Sequence, residues 1–255
     1  MSSPPVRYEV DDGVAWVTLD RPEAANALSE AVRRGLWEAT RRFNDDRSAA
    51  VLVLTGSGER AFCAGADLKE MSSSGLEIPP PDFLPHFGRN VDVEKPTIAA
   101  VNGVAYAGGF LLAQMCDLCL AAESARFAIT EPKVGRGAPW AAPLPWLVPP
   151  RIALELLLTA EPITARRAYD VGLVNEVVAG VELRARAQEV ARRIADNAPL
   201  SVRAGKRMVY AAARAVRTAV FDEAEEIWAP VYRSGDAQEG PRAFTEKRPP
   251  RWEGR

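Results

Sequence analysis

The sequence predicts a mixed α/β fold that ends in an all-helical region, and three observations carry that expectation. Short apolar, strand-like runs recur along the first two thirds, each leading into a small-residue turn and then a helical pattern. The run VLVLT at 51–55 is apolar nearly throughout, as a strand buried on both faces requires. Beyond about residue 150 helical spacing of the apolar residues dominates.

The elements follow in order. Residues 6–10 and 14–19 alternate like a hairpin around Asp11-Asp12-Gly13. A Pro-containing loop precedes a helix from Ser29, which stands as its cap, with Val32, Leu36 and Ala39 on one face. "GSGERAFCAGADLKEM" reads as a turn, a short strand and a helix start, and "KPTIAAVNGVAYAGG" repeats the strand and glycine turn. Between them, residues 72–90 are rich in Ser, Gly and Pro and read as a mobile flap over a site. "DLCLAAESARFAI" supplies a third strand region, and "TEPKVGRGAPWAAPLPWL" the loop after it. Helices are expected near 150–160, 164–171, 181–196 and 199–232, with a short strand at the end of "RAYDVGLVNEVV". The boundary falls near Pro199: a β/α core at 1–198 and a helical C-terminal region at 199–255.

Composition narrows the function. Hydrophobic residues make up 47% of the 255 and charged residues 26%, ordinary values for a globular chain. Lys and Arg number 32 against 34 Asp and Glu, so bulk charge favours neither nucleic acid nor a membrane surface. The longest apolar stretch, Val104 to Met115, contains Gln114 and is too short to span a bilayer. Cys63, Cys116 and Cys119 make no even disulfide framework, and MSSPPVRYEV carries no apolar signal-like core, so a reducing cytoplasm is expected. Cys116 and Cys119 are formally C-x-x-C, but without a second pair or a nearby histidine they read as buried structural thiols. The lone histidine, His86, leaves no metal-type histidine cluster. It reads as a surface or flap residue, with a triad role the alternative.

Two turns stand out: Cys63-Ala64-Gly65-Ala66-Asp67 and Ala107-Gly108-Gly109. Each ends a strand and begins a helix, where backbone N–H groups lack internal partners. Such donors, converging on one oxygen, would form an oxyanion hole; the alternative is two tight turns that need glycine for backbone reasons.

The ordered set "AFCAGADLKEM", "KPTIAAVNGVAYAGG", "CDLCLAAESARFAITEPKVG", "LLLTAEPITARRAYDVGLVNEVV" and "EGPRAFTEKRPPRW" resembles the crotonase superfamily, the enoyl-CoA hydratase/isomerase family, from about Val6 to Trp252. The resemblance implies a spiral of ββα repeats and a C-terminal helical region that forms trimers, commonly stacked as hexamers. It implies an acyl-CoA thioester as substrate, with coenzyme A entering as part of it and no separate cofactor or metal. Ala64 and Gly108 match the donors to the thioester oxygen. Ala24, Ala66, Asp67 and Leu68 match backbone facing CoA, and Phe244 and Lys247 match positions at its nucleotide end, although Lys247 also reads as a solvated C-terminal lysine. Glu131 matches a catalytic glutamate, in an apolar context that would raise its pKa.

The second glutamate of the hydratases is matched by Leu111, which can neither accept a proton nor orient water. Pro139 falls, within a residue or two, where a water-holding N–H is usual, and proline has none. Tyr106 borders the thioester channel or simply packs; Trp140, with Arg136 and Trp146, shapes the acyl pocket or packs against a neighbouring subunit. One carboxylate suffices for a 1,3-proton shift, so Δ3-to-Δ2 isomerisation is the expected reaction. Hydration or dehydration despite Leu111, and acyl-CoA binding without chemistry, are the alternatives.

Overall fold

The computed structural model describes residues 4–67, 70–71 and 78–253. Leu68 lies outside them, as do residues 72–77 of the expected flap.

Strands β1 (Val6–Asp11) and β2 (Val14–Leu19) form the expected hairpin. Asp12 and Gly13 between them both take positive φ, 50° and 80°, as a two-residue primed turn requires. Helix α1 (Glu30–Asp45) starts where expected: the Ser29 hydroxyl accepts from Val32 N–H. Next come β3 (Val51–Gly56), β4 (Ala61–Cys63), β5 (Thr97–Val101), β6 (Val104–Tyr106), helix α2 (Gly108–Gln114), β7 (Leu118–Ala122) and β8 (Arg126–Ala128). Helices α3 (Leu144–Leu147) and α4 (Pro150–Thr159), strand β9 (Ile163–Thr164), helix α5 (Ala165–Asp170) and strand β10 (Glu176–Val178) follow. The chain ends in α6 (Leu183–Ala195), α7 (Pro199–Arg233) and α8 (Asp236–Thr245).

What the sequence showed as single strand regions are pairs of strands in different sheets. A six-stranded sheet runs β1-β2-β3-β5-β7-β10, parallel except at the first hairpin. A four-stranded sheet runs β4-β6-β8-β9. After β3, β5 and β7 the chain bends and crosses into the second sheet as β4, β6 and β8. Asn102 braces one such bend: its amide donates to Gly58 O at 2.6 Å and its carbonyl accepts from Gly56 N–H at 3.1 Å.

The doubly apolar reading of 51–55 follows from this layering. Val51 and Val53 pack outward with Trp16 and Ile98 against Leu183, Ala187 and Ala191 of α6. Leu52 and Leu54 pack inward with α1, α2 and the second sheet. At 25 cal/mol per Å² or so, burial on both faces is the main term holding these layers together.

Two polar clamps tie helices to the sheets. Lys95 is buried and donates to three carbonyls in the last turn of α1 and just beyond it: Phe43 O, Asp46 O (2.8 Å) and Ala49 O (3.1 Å). Asp117 accepts from Thr97 N–H (2.7 Å), Thr97 Oγ1 (3.0 Å), Tyr210 OH (2.9 Å) and Lys206 Nζ (2.8 Å), joining β5 to α7.

The described part of the Ser/Gly/Pro-rich stretch packs onto the body of the protein at 83–87. Leu84, His86 and Phe87 are buried, and Phe83 lies 4.3 Å beneath the Arg33 guanidinium. His86 is likewise not at the surface: its ring packs edge-on against Phe221 of α7, 5.2 Å between centroids. The three cysteines are free and buried, and burial pushes the Cys63 and Cys119 thiols up to about 12. Among the described residues no helix is long and apolar enough to cross a membrane.

Candidate active site

Strands β4, β6 and β8 are parallel neighbours in register, Cys63 beside Ala105 beside Phe127. Their carboxyl ends therefore deliver three segments to one edge: 64–67, 107–109 and 129–131. Ligands of open α/β sheets bind at such edges. Ala107 N–H donates to Ala128 O at 3.0 Å, fixing the second turn against the third.

The two small-residue turns face each other. A Cβ on Gly108 would lie 4.0 Å from Gly65 Cα, and one on Gly109 only 2.1 Å from Cys63 O, so no larger residue lets α2 start this close to β4. Ala107 takes φ 51° and ψ −122°, the first central position of a II′ turn and ordinarily a glycine place. The N–H groups of Phe110 and Leu111 in the first turn of α2 return to Ala107 O at 2.8 and 3.1 Å.

The first turn corrects one expectation. Ala64 N–H is spent within the protein, donating to Ala25 O at 3.0 Å. Gly65 N–H is directed at the Cys63 sulfur. The next N–H in the turn is that of Ala66, which pairs alongside Leu28 in an isolated parallel bridge.

The loop bearing Ala24 is braced by a residue the sequence reading passed over. Asn26 is fully buried; its amide donates to Ser57 O (3.0 Å) and Ala61 O (2.8 Å), and its carbonyl accepts from Arg21 N–H (2.9 Å). Its one signal is an asparagine flanked by alanines in a Pro-led loop, and it takes the positive φ of 55° that asparagine tolerates. Asp67 pairs with Arg21 at 3.3 Å and accepts from Glu70 N–H at 3.4 Å, so its carboxylate organises the turn. Tyr106 ends β6, half-buried, one residue before the strained Ala107.

Glu131 opens a 3-10 turn, Glu131–Val134, just past β8. Its carbonyl accepts from Arg136 N–H at 2.9 Å, which folds the loop back on itself. Its side chain is buried (9% exposed). Oε1 accepts from the Trp140 indole N–H at 2.8 Å, and Oε2 is buried with no partner. Burial pushes the carboxyl up to about 7, against the Trp140 N–H and local backbone donors, which favour the ionised form. A carboxyl so placed is half-ionised near neutral pH, where a group that both takes and returns a proton works best.

The walls are apolar. Phe110, in the first turn of α2, packs edge-on against Phe127 (5.8 Å) and Trp140 (5.7 Å). Leu111 is 6% exposed in the same cluster, which also holds Leu84 and Phe87. The back of the Glu131 loop is held by the C-terminal helices. Tyr232 OH donates to Gly137 O at 2.7 Å, and the Arg136 guanidinium lies 5.0 Å over the Tyr232 ring. A Cβ on Gly240 of α8 would stand 2.2 Å from Val134 O, a measure of how closely α8 sits. Phe244 is 59% exposed and Lys247 is exposed, both at the outer end of α8 rather than against the Glu131 cluster.

With this geometry, comparison with known proteins is decisive. The model of the enoyl-CoA hydratase/isomerase family matches residues 9–255. A carnitinyl-CoA dehydratase of Salmonella typhi is 39% identical over 253 residues, 94% of each chain, and one from Proteus mirabilis is 38% identical over 256 residues, 95% of each. Among solved structures, a carnitinyl-CoA hydratase from Mycobacterium avium superposes with a TM-score of 0.88 at 38% identity, covering both chains completely. An enoyl-CoA hydratase from Mycobacterium tuberculosis H37Rv does so at 0.81 and 34% identity, covering 91% of this chain and 99% of its own. The chain belongs to the enoyl-CoA hydratase/isomerase family. It has the crotonase fold and is an enzyme of that family, with an acyl-CoA substrate.

Proposed function

We propose that the protein moves a double bond along an acyl-CoA, from Δ3 to Δ2, with Glu131 as the one acid–base group. The carrying observation is Glu131 itself: buried, raised to about 7, with Oε2 free in an apolar setting and Leu111 where a second carboxylate would stand. Oε2 takes a proton from carbon 2, and the electron pair spreads through the thioester carbonyl and the 3,4-double bond as a dienolate. The same carboxyl returns the proton to carbon 4, which leaves the double bond at carbons 2 and 3 and Glu131 ionised as at the start. Ala66 and Gly108 N–H are the donors to the thioester oxygen, because Ala64 N–H is spent on Ala25 O and Gly65 N–H is directed at the Cys63 sulfur. An oxyanion donor of this type is worth about 3–4 kcal/mol in the transition state.

A second reading, dehydration of a 3-hydroxyacyl-CoA, is favoured by the names of the relatives. Here Glu131 would take the carbon-2 proton and hand it to the departing hydroxyl. The test is a substrate panel. The isomerase reading expects conjugated Δ2 product from a Δ3-enoyl-CoA and little 3-hydroxyacyl-CoA from crotonyl-CoA; efficient hydration sinks it.

The same reading gives residues 199–255 the trimer contact, and Phe244 and Lys247 the nucleotide end of CoA. Apolar side chains left exposed on α7 and α8 (Leu200, Met208, Ile227 and Phe244) support it. Light scattering that reports a monomer at micromolar concentration would reject it.

A further inference from the structure

We infer that Trp140 is a positioning residue for proton transfer: its indole N–H assigns the two oxygens of Glu131 to different tasks and sets the pH at which Glu131 works. The inference rests on the reading of Glu131 as the acid–base group.

Trp140 is fixed from three sides. Its backbone carbonyl accepts from Gln114 Nε2 at 3.1 Å. Its ring packs edge-on against Phe110, with 62° between planes. Its Nε1–H donates to Glu131 Oε1 at 2.8 Å. Gln114 and Phe110 both belong to α2, the helix to whose first turn the proposed function gives the thioester oxygen. One short helix therefore positions the site for the thioester oxygen at its start and, through Trp140, the carboxyl along its body.

An indole is suited to this task. It donates one hydrogen bond and accepts none, so it holds a carboxylate without exchanging a proton with it. With Oε1 engaged, Oε2 is the oxygen left for the substrate, and it is the atom that stands buried and unpartnered. A carboxyl that takes a proton at one carbon and returns it at another must keep that proton on one oxygen that sweeps both positions. Rotation of an unheld carboxyl would scatter it. The N–H also favours the ionised form and opposes the burial that raises the pKa.

The test replaces Trp140 with benzothienylalanine, which keeps ring size and stacking and exchanges N–H for sulfur. Trp140→Phe serves as a second variant. The expected result is an acid limb of kcat/KM moved upward by about one pH unit, as loss of a hydrogen bond to a charged group implies. At pH 7, kcat falls while KM for the thioester holds. The Glu131 carboxyl is also titrated directly by 13C NMR in the ligand-free protein, and an upward shift there is expected whatever the reaction proves to be. If Glu131→Gln retains turnover, the acid–base reading fails, while the NMR shift still decides whether Trp140 holds the carboxyl. An unchanged pH limb and an unchanged carboxyl titration in the benzothienyl variant would overturn the inference.

Discussion

Two buried carboxylates in this protein have opposite fates. Glu131 is 9% exposed and has neutral donors, the Trp140 indole and local backbone N–H groups. The Glu239 side chain is 7% exposed and has two arginines: Arg248 reaches both of its oxygens at 2.6 and 3.0 Å, and Arg242 reaches Oε2. Arg251 N–H is a third partner, donating at 2.8 Å. Burial lifts Glu131 to about 7, while the arginines hold Glu239 well below the usual carboxylate range. Surface exposure does not separate the two sites: Glu131 lies deep among apolar groups and burial dominates its titration, whereas Glu239 lies near the surface between charged partners. A carboxylate paired with arginine is fixed as an anion and serves structure. One held by neutral donors can change its charge and so can serve chemistry.

The largest effect that could break the comparison is on activity. Glu131→Gln is expected to lower kcat about 10²- to 10⁴-fold, the range for loss of a general acid–base group. The parent's kcat/KM should rise with pH through an apparent value near 7, as the base form is populated.

Stability should move the other way. Glu131 binds its proton more tightly folded than unfolded, so its contribution is present below about 4.5 and is lost as pH rises through about 7. Glu131→Gln should therefore be more stable than the parent at pH 8, by up to about 3 kcal/mol, and near parity at pH 4.5, as denaturant titrations at the two pH values will read. For Glu239 the signs reverse: its pairing stabilises above the ordinary carboxylate range and is lost as pH falls. Glu239→Gln should lower Tm at pH 7, with the deficit shrinking in acid, and retain turnover per folded molecule.

A smaller effect sharpens the chemistry. Leu111→Glu should give measurable hydration of crotonyl-CoA, followed by the loss of its conjugated absorbance. Burying the new carboxyl costs about 2 kcal/mol or more of stability. The smallest effect is at the strained turn. Ala107→Gly should stabilise by about 1 kcal/mol and raise Tm slightly, because glycine holds that φ without penalty.

Much of this was legible in the sequence, and the exceptions have physical causes. The hairpin, the Ser29 cap and the C-terminal helices lie close to where local signals put them, because turn chemistry and capping act over a few residues. The split of 97–106 into strands of two sheets was not legible, since a bend at Asn102-Gly103 looks in sequence like one strand running into a turn. Glu131 and Leu111 were singled out through the family resemblance. Which N–H groups of the first turn are free was not legible, because Ala64 is occupied by Ala25, a residue 39 positions earlier whose approach only the folded loop creates. The pairing of Glu131 with Trp140 needed the loop to close, and the packing of residues 83–87 needed Phe221 of a distant helix to cover them.

The central claim is that one carboxyl moves the proton and no water takes part. It is tested most directly by turning over a Δ3-enoyl-CoA deuterated at carbon 2 in 18O-labelled water and reading the products by mass spectrometry. The account predicts a Δ2-enoyl-CoA that carries deuterium at carbon 4 and no solvent oxygen. A 3-hydroxyacyl-CoA carrying 18O at carbon 3, with no deuterium at carbon 4, would contradict it.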